Sequence, residues 1–166
     1  MNWWADPAPT LREIDTLIDH AFRAGAEYMA EVVMRAPSEE GDVANGVIAV
    51  RNNTNNIVGF VILISAPMDA TVFILEAHIN TPQEPTDKDL FNFAFVAVEG
   101  VGIATRDKKV KDLFISAANP EGLSVATAMG AMEAHNGLFK VPGVWLRQTI
   151  AVAATAYQKA KAATIH

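Results

Sequence analysis

Glu76 and His78 stand two apart in the run Thr71–Asn80, TVFILEAHIN. If that run is a strand, both side chains leave the same face, with Val72 and Ile74, while Phe73, Leu75, Ala77 and Ile79 leave the other. A carboxylate beside an imidazole can serve as base and proton relay at neutral pH, which makes Glu76 and His78 the candidate catalytic pair. An ion-paired, half-exposed sheet face would use the same two residues without chemistry. The second candidate lies in Leu113–Gly130, LFISAANPEGLSVATAMG. There an apolar run stops at Asn119, a helix starts with Pro120 at its first position, and Gly130 closes it. Strands that break off at a polar residue under a helix N-terminus often border a ligand crevice.

Other chemistry is poorly served. Gly122–Ala126 is close to a nucleophile elbow, but Ser124 falls inside a helix and not on a strand-to-helix turn. Gly100-Val101-Gly102 falls inside a helix too, where it cannot cradle a phosphate. The chain has no cysteine, and its four histidines, at 20, 78, 135 and 166, form no metal-ligand pair. No metal is expected. A net charge of −6 disfavours nucleic acid and anionic membranes. Lys108, Lys109 and Lys111 read as a solvated helix end. No apolar run approaches the ~20 residues of a membrane span, and the start, MNWWADPAPT, lacks the features of a signal peptide. A cytoplasmic protein is expected.

The elements that must hold these residues follow from periodicity. Residues 1–9 read as an extended arm; Trp3 and Trp4 either cover the domain's own core or dock on a partner. Thr10 with Glu13 forms a capping box, followed by Leu11, Ile14, Leu17, Ile18, Ala21 and Phe22 at helical spacing. A second apolar stretch runs over Ala26–Met34. Gly46–Val50, Ile57–Ile64 and Thr71–Asn80 read as a three-stranded meander; the second is apolar throughout and so covered on both faces. Asn52–Asn56 is the hairpin turn between the first two. Asp87 is expected to cap a long helix over Lys88–Thr105, Leu113–Ser116 to be a strand, Pro120–Met129 a helix, Gly143–Thr149 a strand and Ile150–Ala163 a helix. This order predicts an α/β (α+β) fold with a mixed, mostly antiparallel central sheet and helices on both faces.

With the element order, two short patterns resemble the GNAT acyltransferase family. Asn56-Ile57-Val58-Gly59-Phe60-Val61 is similar to that family's third strand, and Asn119 followed by Gly130 has the spacing of its Asn…Gly pair around the fourth helix. The resemblance implies a GNAT-like domain over residues 10–150, with an arm at 1–9 and a helical extension at 151–166. It also implies acetyl-CoA wedged between two strands that splay apart, here Thr71–Asn80 and Leu113–Ser116. The pantetheine arm would pair with backbone around Ile79, Asn119 would touch the cofactor, and the pyrophosphate loop would fall on Gln83, Thr86, Asp87 and Lys88. Glu76 would lie where the family often carries its general base.

The chain also departs from the family pattern. Gln83–Lys88, QEPTDK, has no glycine, Pro85 removes a donor, and Glu84 and Asp87 place negative charge where a pyrophosphate would lie. The tyrosine that often protonates the leaving thiolate maps to Ala126, and the usual phenylalanine after Gly130 is Ala131. Two functions follow as expectations: a non-catalytic structural or accessory protein on a degenerate acetyl-CoA site, or an N-acetyltransferase acting on an amine that the acidic surface attracts. The Gly-Ala ending of the helix is similar to small acetyltransferase-like proteins of tailed phages. That likeness implies a phage protein, in host cytoplasm or virion, and makes Trp3, Trp4 and the C-terminal helix protein-docking or self-association elements. A small-ligand-sensing domain without a CoA role is the third alternative.

Overall fold

The computed structural model describes residues 3–26, 29, 33, 46–105, 108–135 and 137–142. Helix α1 (Leu11–Arg23) starts as its sequence dictates. The Thr10 hydroxyl accepts from the Glu13 backbone N–H, and the Glu13 carboxylate accepts from the Thr10 N–H. Ile14, Leu17, Ile18 and Ala21 form its buried stripe. The helix stops where Gly25 takes a left-handed φ of 91°, open to glycine at no steric cost.

Seven strands make one sheet in the order β1-β2-β3-β4-β5-β7-β6. They are β1 (Trp4–Asp6), β2 (Val47–Arg51), β3 (Ile57–Ala66), β4 (Asp69–Ile79), β5 (Asp112–Ser116), β6 (Met132–His135) and β7 (Leu138–Pro142). The β4–β5 pair is parallel and every other pair antiparallel. The parallel pair requires a crossover, supplied by helix α2 (Asp87–Thr105). Helix α3 (Pro120–Ala128) follows β5.

Strand β3 is buried on both faces from Val58 to Ile64, which explains its unbroken apolar run. On one face Phe60, Ile62 and Ile64 pack with the stripe of α1. On the other, Leu75, Ala77, Leu113 and Ile115 pack beneath α2 and α3, against Phe93, Val96, Ala97, Val125 and Ala126. Helices therefore cover both faces, and the expected mixed α/β architecture is observed. Gly100, in the middle of α2, permits close approach: a Cβ there would sit 2.6 Å from the Ile48 methyl.

Several expectations are corrected. Residues 4–6, expected within an arm, form edge strand β1, paired with β2 through Trp4↔Arg51 to Asp6↔Ala49. Of the two alternatives for the tryptophans, Trp3 takes the core one, at 5% exposure. Trp4 is half-buried, and the Arg51 guanidinium lies 5.9 Å from its ring centre. The cap of α2 is Thr86 and not Asp87: the Thr86 hydroxyl accepts from Asp89 N–H, and the Asp89 carboxylate accepts from Thr86 N–H. The β6–β7 hairpin was not expected at all. The expected strand at 143–149 and helix at 150–163 lie outside the described residues, as does most of the stretch 26–34.

Candidate functional site

Strands β4 and β5 are hydrogen-bonded from Val72↔Asp112 to Leu75↔Ile115, and there their pairing ends. Strand β4 runs on to Ile79, whereas β5 stops at Ser116. The gap beside the end of β4 thus arises because β5 is short, with one residue beyond its last pair, and not from two long strands splaying apart. Backbone groups that face an absent neighbour need other partners. On β4 two of them find those partners within the chain: the Asn119 amide donates to Ala77 C=O at 2.8 Å, and Ile79 N–H donates to the Glu121 carboxylate at 3.0 Å. Both acceptor and donor come from the start of α3. Asn119 is also its N-cap, its Oδ1 accepting from Gly122 N–H at 2.8 Å.

Gly122 makes this tuck possible. A Cβ at that position would overlap the Ser116 carbonyl and meet Asn119 Oδ1 at 2.7 Å. Two residues on, the Ser124 hydroxyl donates to Leu90 C=O at 3.1 Å and ties α3 to α2. Helix α3 is thus held against both the end of β5 and the neighbouring helix.

The expected pyrophosphate loop has a similar character. At the start of α2 the Thr86–Asp89 box engages the N–H groups of Thr86 and Asp89, and Asp87 stands in the same first turn. Gln83, Asp87 and Lys88 are exposed; the Gln83 carbonyl accepts from the Thr81 hydroxyl. Ala126, at the position where the family resemblance leads one to look for a tyrosine, is fully buried.

Glu76 and His78 come together on the α1 face of β4, with Glu76 Oε1 and His78 Nε2 3.7 Å apart. His78 is 3% exposed and stacks on Phe60, ring centres 5.0 Å apart, while His20 of α1 meets both rings edge-on. Its Nε2 has no hydrogen-bond partner. Burial, with His20 adding to it, lowers the His78 pKa to about 4, so the ring is neutral at pH 7. Burial raises the Glu76 pKa from its ordinary value, the direction that suits a general base. Glu76 and His78 therefore lie on the face opposite α2 and α3, apart from the residues beyond the end of β5.

Between α2 and α3 lies a cleft of about 400 Å³, lined by Leu90, Phe91, Ala94, Phe95, Leu123 and Thr127 among others. Sequence reasoning missed it, and missed Glu121. The signal for the cleft was present as Leu90, Phe91, Ala94 and Phe95 at helical spacing, two residues too many for one buried stripe. Among the described residues no group of three or more His, Asp or Glu is placed to hold a metal ion. No helix among them is long and apolar enough to cross a membrane.

Two solved structures are similar to this chain over most of its length. One is of a protein assigned by name to the phosphinothricin N-acetyltransferases: 12% identity, 84% of this chain and 96% of that one covered, TM-score 0.49. The other is a GNAT-family acetyltransferase from Listeria monocytogenes: 14% identity, 83% and 92% covered, TM-score 0.44. No protein-family model matches the sequence, and no curated protein does.

Proposed function

We propose that this chain is a non-catalytic accessory protein on an acyltransferase-like scaffold whose cofactor cleft is filled by its own side chains. The observation that carries this reading is the pair of bonds on β4 past the end of β5, Asn119 to Ala77 C=O and Ile79 N–H to Glu121. These use the strand-edge groups that the family resemblance assigns to a pantetheine arm. A ligand entering there would have to break a charge-assisted hydrogen bond, worth roughly 1.5–3 kcal/mol, before making its own. It would also bring phosphates to a helix start that already carries Asp87 and Asp89. Each screened like-charge contact costs on the order of 1 kcal/mol, and several together weaken binding by orders of magnitude.

The experiment is a thermal shift with acetyl-CoA. A ligand at about 100 times its dissociation constant stabilises by about 2.7 kcal/mol, which moves Tm by several degrees. No shift is expected at about 5 mM acetyl-CoA. A saturable rise of several degrees overturns the reading. It would favour the second one, an acetyl-CoA-dependent N-acetyltransferase, for which the desolvated carboxyl of Glu76 is the supporting observation. In that case Glu76→Gln should lower turnover by ~100-fold or more.

A further inference from the structure

The cleft between α2 and α3 exposes more apolar surface than a closed seam would. Phe91 is 62% and Leu123 47% exposed, on opposite walls, and Phe91 contacts Phe95 with ring centres 4.6 Å apart. Its size lies within the range of small-molecule sites, which are concave, mostly apolar and furnished with a few polar groups. The floor is closed by the Ser124–Leu90 hydrogen bond, so an occupant rests on the helices and does not pass between them.

Charge decides what kind of occupant. Two helices begin beside the cleft, and each start contributes roughly half a positive charge. That would favour an anion, but the caps reverse it. Glu84, Asp87 and Asp89 lead into or open α2, against Lys88, and Glu121 sits in the first turn of α3. Four carboxylates against one ammonium and about one unit of helix dipole leave an excess of roughly two negative charges. One N–H of each first turn is also taken by a cap, Asp89 N–H by the Thr86 hydroxyl and Gly122 N–H by Asn119 Oδ1. Asp87 is exposed, makes no hydrogen bond or ion pair among the described residues, and lies three and four residues before Leu90 and Phe91, on the same side of the helix.

We propose that this cleft binds a small amphiphilic cation: an aromatic or branched apolar body between Phe91 and Leu123, with an ammonium group facing Asp87. The inference rests on the reading that acyl-CoA does not use this cleft. Three isosteric probes test it by titration calorimetry on the full chain: 4-phenylbutylamine, 4-phenylbutanol and 4-phenylbutanoate. The expected order is amine, then alcohol, then acid. The amine should be favoured over the acid by about tenfold at low salt, and the gap should narrow near 0.5 M salt because an exposed carboxylate is screened. Asp87→Asn with Glu84→Gln should bring amine and alcohol together while the alcohol's affinity stays. Phe91→Ala should weaken all three, and Leu123→Ala provides a second, independent wall. The proposal is overturned if the acid binds as well as the amine, if no probe saturates, or if both wall variants bind like the parent. Adding acetyl-CoA keeps the two readings apart. If it leaves the amine bound, both stand; if it displaces the amine, the cofactor-free reading falls while the cation site remains.

Discussion

At the scale of single residues, the chain spends side chains on backbone groups that a longer β5 would have satisfied. Glu121→Ala leaves Ile79 N–H without its 3.0 Å acceptor, at a cost of about 1–3 kcal/mol by chemical denaturation. Asn119→Ala removes both the cap on Gly122 and the bond to Ala77 C=O, so it should cost at least as much. Glu121→Gln keeps an acceptor without the charge and should lose less than half of what the alanine loses. If Glu121→Ala is neutral, the carboxylate is not seated on the strand, and the self-filled cleft goes with it. His78 is a different case: a buried ring whose Nε2 has no partner. Here His78→Phe keeps the stack on Phe60 and removes the orphaned atom, so it should be neutral or stabilising at pH 7 by up to ~1 kcal/mol. A loss above ~2 kcal/mol would mean that Nε2 has a partner in solution.

At the scale of elements, the parts that sequence revealed are those whose local chemistry and burial agree. The α1 capping box, the doubly buried β3 and the Asn52–Asn56 turn are such cases. In that turn Asn52 Oδ1 accepts from Thr54 and Asn56 N–H, and Asn55 takes a φ of 65°. What stayed hidden lies at sheet edges. Strand β6 is exposed along its whole length, so no apolar alternation marks it, although the Asn136-Gly137 turn pair is a hairpin signal. Strand β1 is three residues long and runs straight into Pro7 and Pro9, and only tertiary pairing makes it a strand. Glu121 looked like an ordinary acidic residue in a first helical turn; its partner is 42 positions away, a distance no local pattern encodes. Gly122 marks the same junction. Gly122→Ala forces a Cβ against the Ser116 carbonyl, and α3 must lift from the sheet or strain. We expect a loss of about 2 kcal/mol or more, with faster hydrogen exchange at Ile79. Unchanged stability would mean that α3 does not seat this tightly.

At the scale of the whole molecule, acid stability should fall in two stages set by groups on different elements, His78 on β4 and Glu13 on α1. The unfolded His78 takes up a proton below about 6.5, the native ring only near 4. The unfolded state therefore binds more protons across that window, and stability drops as pH falls from 6.5 to 4, by at most about 3 kcal/mol. Glu76 works against it. Its raised pKa means the native state accepts a proton first, which recovers part of the loss above pH 4.5. The second stage belongs to Glu13. Its bonds to Arg51 at 2.8 Å and to the Thr10 cap lower its pKa to about 2. Its contribution is present in full above 4.5 and lost as pH falls towards 2. With the Glu13 side chain partly exposed, screening reduces that contribution to roughly 1–2 kcal/mol. Arg51 also holds Asp6 of β1 and the Asn55 carbonyl, so this stage loosens the edge where β1, α1 and the β2–β3 turn meet. Urea titrations at pH 7, 5 and 3 separate the stages. His78→Phe should gain about 2 kcal/mol on the parent at pH 5 and flatten the upper stage. Glu76→Gln should steepen it, and Glu13→Gln should flatten only the lower one. Among the described residues the His78 and Glu13 sites share no hydrogen-bond or ion-pair partner, so the double variant should be additive within about 0.5 kcal/mol. A single steep loss below pH 4, unmoved by His78→Phe, would mean that the buried imidazole is solvated and that the α1 face of β4 opens to water.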